Sequence, residues 1–452
     1  MVKLEYLLEI DKNWIKTKKW WDKIKLSDEL FPIEFKKVTY NQKNIFKIKF
    51  LYFIKKIFNI EDVTNMEKIN INNCDINKLI NNFKSNFDAF KNLFEDDIEL
   101  KNNISYILKY NHYFKLIKKK ISQIIEPLFT DIYFDKLFRC DNDLTRLIGP
   151  IVAPIIYIYI VSRDLEKTIN LCLNLDNISI QFFVVSYLIL DNFMDDSSYY
   201  EENKLIFFKW FMNIVNNPEN EVIINEEQSK VWQCIIFKKY FCLFVDKYPV
   251  NENKILYRFV KLLISTLKET DKIQKNSDID DDVILESTFK KSYVACLFMA
   301  FIIIKNKFIK KNINLLCELV FLIQLYDDYF DIEKDLLENN HTYFNTYNSK
   351  LNFNEKVKKM ILSSFLFLND LKEKDNNVIN IFLYTIKYIF LWASYIYIDK
   401  FDKELINYFL DYSYYDFDIF KYFDVKSYDQ YDSNIMLNIF KNYIINYIIN
   451  QD

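Results

Sequence analysis

The chain has 452 residues, 51% of them hydrophobic, and a formal net charge of −3. It can therefore bury a large core as one domain or two, and it lacks the basic footprint of a nucleic-acid binder. A single glycine, Gly149, and six prolines exclude glycine-rich phosphate loops, and with them P-loop and Rossmann readings. The two histidines, His112 and His341, stand beside no plausible nucleophile, which weighs against Ser-His-Asp and Cys-His catalysis.

Arginine is almost absent, while Lys, Asn, Ile, Phe and Tyr abound. That bias reads as the codon usage of an AT-rich genome, so the many Asn and Lys residues carry little functional weight. Seven cysteines show no CxxC spacing, and several sit inside apolar runs. They read as buried thiols of a reducing, intracellular protein. The N-terminal residues are interrupted by charges and lack a signal-peptide core. The longest apolar runs, 147–161 and 294–304, fall short of the about 18 residues that span a bilayer. The expectation is a soluble, cytoplasmic protein with no transmembrane segment.

In chain order, residues 1–95 carry polar segments with Trp14, Trp20 and Trp21 and read as a helical extension or cap, followed by a helical domain over 96–452. Apolar residues recur at helical spacing over 104–125, 205–215, 230–245, 255–267, 283–304, 315–337, 356–371, 378–398 and 435–449. Breaks are expected near 72–75, 141–143, 216–221, 248–253, 271–282 and 339–350, where Asn, Asp and Lys cluster. Strand-like alternation is scarce, so the fold class is all-α.

Two acidic clusters stand out against this background. Residues 315–325 are strongly apolar and lead into Asp327, Asp328, Asp331 and Asp335. On a helix, Asp327, Asp331 and Asp335 form one row, with Asp328 beside it. Like charges in such a row repel by about 0.2–0.5 kcal/mol per pair on an exposed helix, and by more when buried. A divalent cation would compensate them. The same grammar occurs earlier, where the apolar run 181–190 ends in Asp191, Asp195 and Asp196. Two buried helices ending in carboxylates can hold an oxygen-loving cation such as Mg²⁺ between them.

Read as a pattern, Gln324-Leu-Tyr-Asp327-Asp328-Tyr-Phe-Asp331 resembles the second aspartate-rich motif of trans-prenyl diphosphate synthases, and in relaxed form the metal-binding triad of terpene synthases. Asp191-Asn-Phe-Met-Asp195 resembles the first motif of the same class I isoprenoid synthase superfamily, with Asn192 in its second place. The clusters stand about 140 residues apart, the separation typical of that superfamily. Phe289-Lys290-Lys291-Ser292 resembles the lysine element that contacts diphosphate. The resemblance covers roughly residues 100–450.

It implies a helical bundle around a central apolar cavity, with the acidic helices at its mouth. Asp191, Asp195, Asp196, Asp327, Asp328, Asp331 and Asp335 would bind up to about three Mg²⁺ ions, with Mn²⁺ as a substitute. Lys290, Lys291 and Gln324 would bind the substrate, an allylic diphosphate, and Asp191, Asp195, Asp327, Asp328 and Asp331 would be catalytic. Many relatives of this fold pair two copies.

The segment 196–204 contains no arginine, where chain-elongating synthases carry an arginine pair, and no isopentenyl diphosphate site is recognisable. That favours a terpene synthase; the QxxDDxxD context and the lysine element keep a prenyl diphosphate synthase as the alternative. Asn192 and the missing arginines keep a third, a helical binding protein without turnover. A di-iron bundle needs a second ExxH beside Glu338-x-x-His341, and position 109 before His112 is lysine. The run Asp278-x-Asp280-x-Asp282 fails as an EF-hand because Val283 and Phe289 occupy the positions that need Gly and Glu.

Overall fold

The structure, a computed structural model, describes residues 9–26, 38–59, 119–130, 165–190, 200–304, 313–371 and 402–411, with a few isolated positions between them. In chain order its α-helices are α1 (Ile10–Trp21), α2 (Tyr40–Phe58), α3 (Leu165–Leu173), α4 (Asn177–Leu188), α5 (Glu201–Asn216), α6 (Glu226–Ser229), α7 (Trp232–Lys247), α8 (Lys254–Gln274), α9 (Asp281–Ile304), α10 (Ile313–Phe330), α11 (Ile332–Leu337), α12 (Phe353–Leu371) and α13 (Lys403–Asp411). No strand occurs among the described residues. The all-α expectation therefore holds, and most of the expected segments match α5, α7, α8, α9, α10 and α12. The expected helices at 378–398 and 435–449, and most of 104–125, lie outside the described residues.

The chain divides into two compact units, one of residues 1–24 with 116–350, the other of residues 25–115 with 351–452. The N-terminal residues thus split between the units.

In the first unit, α4 packs on α7, α5 on α7 and α8, α8 on α9, and α9 on α10, with α1 against both α9 and α10. Helices that are apolar all round belong inside a protein rather than at its surface. Accordingly, Phe182, Phe183, Val184, Val185 and Leu188 of α4 are buried, as are Tyr293–Ala300 of α9. By contrast α8 is amphipathic and buries the face of Leu256, Phe259, Val260 and Leu263. Asp176 caps α4 by accepting from the Ser179 amide at 2.8 Å, and Lys247 pairs with the same carboxylate at 2.9 Å, fixing α4 to the end of α7.

Aromatic contacts fill the spaces between helices. Phe182 stacks on Phe244 with centroids 4.3 Å apart, and Phe237 meets Phe211 edge-on at 4.4 Å. Trp14 of α1 lies 5.5 Å from Phe289 and 5.8 Å from Phe321, while Trp21 lies 5.4 Å from Phe321. Burying each such ring contributes about 1.5–3 kcal/mol. The tryptophans of α1 are core residues of this unit.

The long helix expected over 315–337 is interrupted at Asp331, whose φ of −92° and ψ of 10° separate α10 from α11. Aspartate is a poor helix-interior residue because its side chain competes for nearby backbone groups. The register survives, because the Asp331 amide donates to the Asp327 carbonyl at 3.0 Å and the Asp335 amide to the Asp331 carbonyl at 2.7 Å. The row of aspartates therefore remains a row.

In the second unit, Thr39 and Gln42 form a capping box on α2, and the Val38 amide donates to the Asp411 carbonyl at 2.8 Å, joining α2 to the end of α13. The Asp402 amide, just before α13, donates to Asn354 Oδ1 of α12 at 3.1 Å. Among the described residues no single helix is long and apolar enough to cross a membrane.

Candidate functional site

The acidic ladder sits where the C-terminal end of α10 meets the N-terminal half of α9. Thr288, Lys291 and Ser292 lie three and four residues apart on α9, so they share one face. Ser292 Oγ donates to the Val320 carbonyl at 2.9 Å, which turns that face toward α10. One turn earlier, Thr288 Oγ1 donates to Asp328 Oδ2 at 3.2 Å. From within α10, Gln324 Nε2 donates to Asp327 Oδ2 at 3.0 Å and to Asp328 Oδ1 at 3.1 Å. Both oxygens of Asp328 are thereby engaged, and the residue is only 5% exposed.

Burial, and then the neighbouring Asp327 charge, push the Asp328 carboxyl up to about 7, against the pull of Gln324, Lys291 and Thr288. Asp335 is pushed up to about 9, first by burial and then by Asp328 and Asp331, with Lys291 opposing. The four aspartates and Lys291 therefore act on one another as a single electrostatic cluster. Without added cations, it relieves its repulsion by keeping protons.

The two candidate lysines part company. Lys291 faces the ladder, whereas Lys290 pairs with Glu286 at 2.7 Å and with Asp11 of α1 at 3.1 Å. Successive helical residues point about 100° apart, so one lysine serves the ladder and the other helps hold α1. The first acidic cluster, Asp191, Asp195 and Asp196, lies outside the described residues. The chain reaches it from the interior, through buried Leu188, Ile189 and Leu190.

Three further residues belong to the same neighbourhood. Thr288 is the hydroxyl partner of Asp328, and a lone threonine three residues before a lysine carries no sequence signal by itself. Asp271, on the last turn of α8, is raised by burial and opposed by Lys275, Lys204 and Lys291. Lys204, on the first turn of α5, is 6% exposed and pairs with Glu201 at 2.9 Å.

The other acidic run is structural. Asp280 caps α9 by accepting from the Asp282 and Val283 amides at 2.9 and 3.1 Å, Asp278 accepts from Asn348, and Asp282 pairs with Lys18 at 3.2 Å. The loop after the ladder folds back onto this turn. The His341 amide donates to the Gln274 carbonyl at 2.7 Å, and Thr346 Oγ1 to the Ile279 carbonyl at 3.1 Å.

The donor set of the ladder is all oxygen, which suits Mg²⁺ and disfavours soft metals. Among the described residues no three His, Cys, Asp or Glu side chains gather closely enough to hold an ion by themselves. Among the described residues, Cys172, Cys234, Cys296 and Cys317 are buried and unbridged, and burial pushes their thiols up toward the neutral form. The described residues thus form a helical scaffold with a carboxylate ladder, buried at Asp328, that Lys291 faces. Compared with family models, characterised proteins and solved structures, the chain matches none.

Proposed function

We propose that the protein is a Mg²⁺-dependent enzyme that ionises an allylic prenyl diphosphate, acting as a terpene synthase that releases diphosphate and forms a cyclic or linear terpene. The observation that carries this reading is the ladder itself: Asp328 is buried between Thr288 and Gln324, with Asp327, Asp331 and Asp335 along one row and Lys291 facing them. A purely structural role gives no reason to gather four mutually repelling carboxylates, one of them buried, at the end of an apolar helix.

On this reading Asp327, Asp328, Asp331 and Asp335, with Asp191, Asp195 and Asp196, hold the Mg²⁺ ions. Bound there, Mg²⁺ neutralises charge on the diphosphate and makes it a better leaving group. Thr288 and Gln324 fix the orientation of the Asp328 carboxylate. Lys291 supplies positive charge to the oxygen that gains the electron pair as the allylic C–O bond breaks. The apolar and aromatic interior of α4 and α9 excludes water from the resulting cation.

The Gln324 bonds to both Asp327 and Asp328 favour a second reading, a prenyl diphosphate synthase, because the motif context is that of chain elongation. One assay separates the readings. The protein is incubated with Mg²⁺ and geranyl, farnesyl or geranylgeranyl diphosphate, with and without isopentenyl diphosphate. A hydrocarbon or alcohol formed from one substrate, and lost in Asp327→Ala, is the expected result. Longer diphosphates that require isopentenyl diphosphate would establish chain elongation. No turnover and no Mg²⁺-dependent binding of any of these diphosphates would leave a helical binding protein.

A further inference from the structure

Helix α2 presents an apolar stripe to solvent. Beyond Tyr40, its exposed side chains among the described residues are Asn41, Ile45, Ile48, Tyr52 and Lys56, spaced three or four apart and therefore on one face. Ile48 is 69% exposed and Tyr52 53%, while Phe46, Phe50 and Phe53 are buried on the opposite face. A helix packed on one side normally shows solvent a polar face, but α2 carries apolar side chains on both. At about 100° per residue, Lys55 borders the outer stripe on one side and Lys49 and Lys56 on the other. The Lys56 ammonium stands 5.5 Å over the Tyr52 ring, within the stripe itself.

The 19 residues of α2 include five lysines and no aspartate or glutamate, in a chain whose acidic residues outnumber its basic ones. Composition explains the supply of lysine, isoleucine and tyrosine. It explains neither the missing acids nor the placing of two isoleucines and a tyrosine on the exposed stripe. We propose that α2 docks on an anionic lipid surface, with Ile45, Ile48 and Tyr52 entering the boundary between headgroups and acyl chains and Lys49, Lys55 and Lys56 meeting the headgroups. A basic helix with an apolar face suits that plane. Lysine stems lie along apolar surface while their ammonium groups reach outward, and tyrosine favours the same boundary because its ring is apolar and its hydroxyl polar. Pairing two copies through this stripe would instead set lysine against lysine. The inner face is already engaged: Val38 and Lys43 donate to the Asp411 and Leu410 carbonyls at the end of α13, so α2 lies along the lipid surface rather than across it. Lipid docking through α2 belongs to the second unit and is independent of the chemistry proposed for the first.

The test is flotation of the full chain with phosphatidylcholine vesicles, with and without phosphatidylserine. The native chain should bind the phosphatidylserine vesicles, and added salt should weaken that binding. Lys55→Gln combined with Lys56→Gln should weaken it at least about tenfold, since each lysine near an anionic surface typically contributes about fivefold. Ile48→Ser combined with Tyr52→Ser should also lose at least about tenfold, with the lysines unchanged. Ile48, Tyr52 and Lys56 are exposed, so both variants should keep the native melting temperature, which separates lost docking from lost folding. Should the serine variant fail to fold, the glutamine variant and the salt series decide. Failure of the native chain to bind phosphatidylserine vesicles, equal binding to phosphatidylcholine alone, or undiminished binding by either folded variant would overturn the proposal. So would a native dimer that the serine variant dissolves, since the stripe would then face a second copy.

Discussion

Thr288 shows how one hydroxyl sets the properties of the site. Its bond to Asp328 at 3.2 Å crosses from α9 to α10 and directs one carboxylate oxygen, leaving Gln324 to direct the other. Groups that orient metal-binding carboxylates typically matter about 10–100-fold for metal affinity or activity. Under the proposed function, Thr288→Ala should therefore lower turnover of the allylic diphosphate by about that factor, with Thr288→Ser restoring most of it. Equal rates for all three proteins would remove Thr288 from the site. Much of this neighbourhood is legible in the sequence, because the i, i+4 spacing of Asp327, Asp331 and Asp335 states their common face. The threonine is not legible, since its role depends on which face of α9 meets α10. The same reason separates Lys291 from Lys290, whose ammonium turns to Glu286 and Asp11.

At the scale of elements, α1 ties an N-terminal segment to the helices that carry the site. Trp14 and Trp21 pack on Phe289 and Phe321, and Asn13 Nδ2 donates to Tyr293 Oη at 2.8 Å in a buried setting. Removing the Trp14 ring leaves a cavity beside both α9 and α10, at a typical cost of about 3–5 kcal/mol. Trp14→Ala should show that loss in denaturant unfolding, and under the proposed function it should also reduce turnover because Phe289 lies two residues from Lys291. A change below about 1 kcal/mol would mean that α1 is a loosely attached appendage. The helices themselves were largely readable from their apolar period, but the interruption at Asp331 was not, since the ladder's backbone bonds persist through it.

Across the first unit, the buried acids couple stability to pH. The folded chain retains protons on Asp328 up to about 7 and on Asp335 up to about 9, whereas ordinary aspartates release theirs near 3.8. The folded state therefore binds more protons than the unfolded state over this window, and stability falls as pH rises through it before levelling off. In metal-free buffer the melting temperature should drop between pH 5 and pH 9. Asp335→Asn should flatten the upper part of that drop, and Mg²⁺ with pyrophosphate should raise the curve most at high pH, where the carboxylates are ionised. A native profile that rises from pH 5 to pH 9 would refute this account of the cluster. The helical class, the burial of α4, α9 and α10 and the row of aspartates follow from local rules, the 3.6-residue period and the clustering of apolar side chains. Long-range packing alone settles which polar groups meet: Thr288 with Asp328, Lys290 with Asp11, and Asn13 with Tyr293. Those contacts depend on helix rotation and register, and many weak apolar contacts summed over whole interfaces set both.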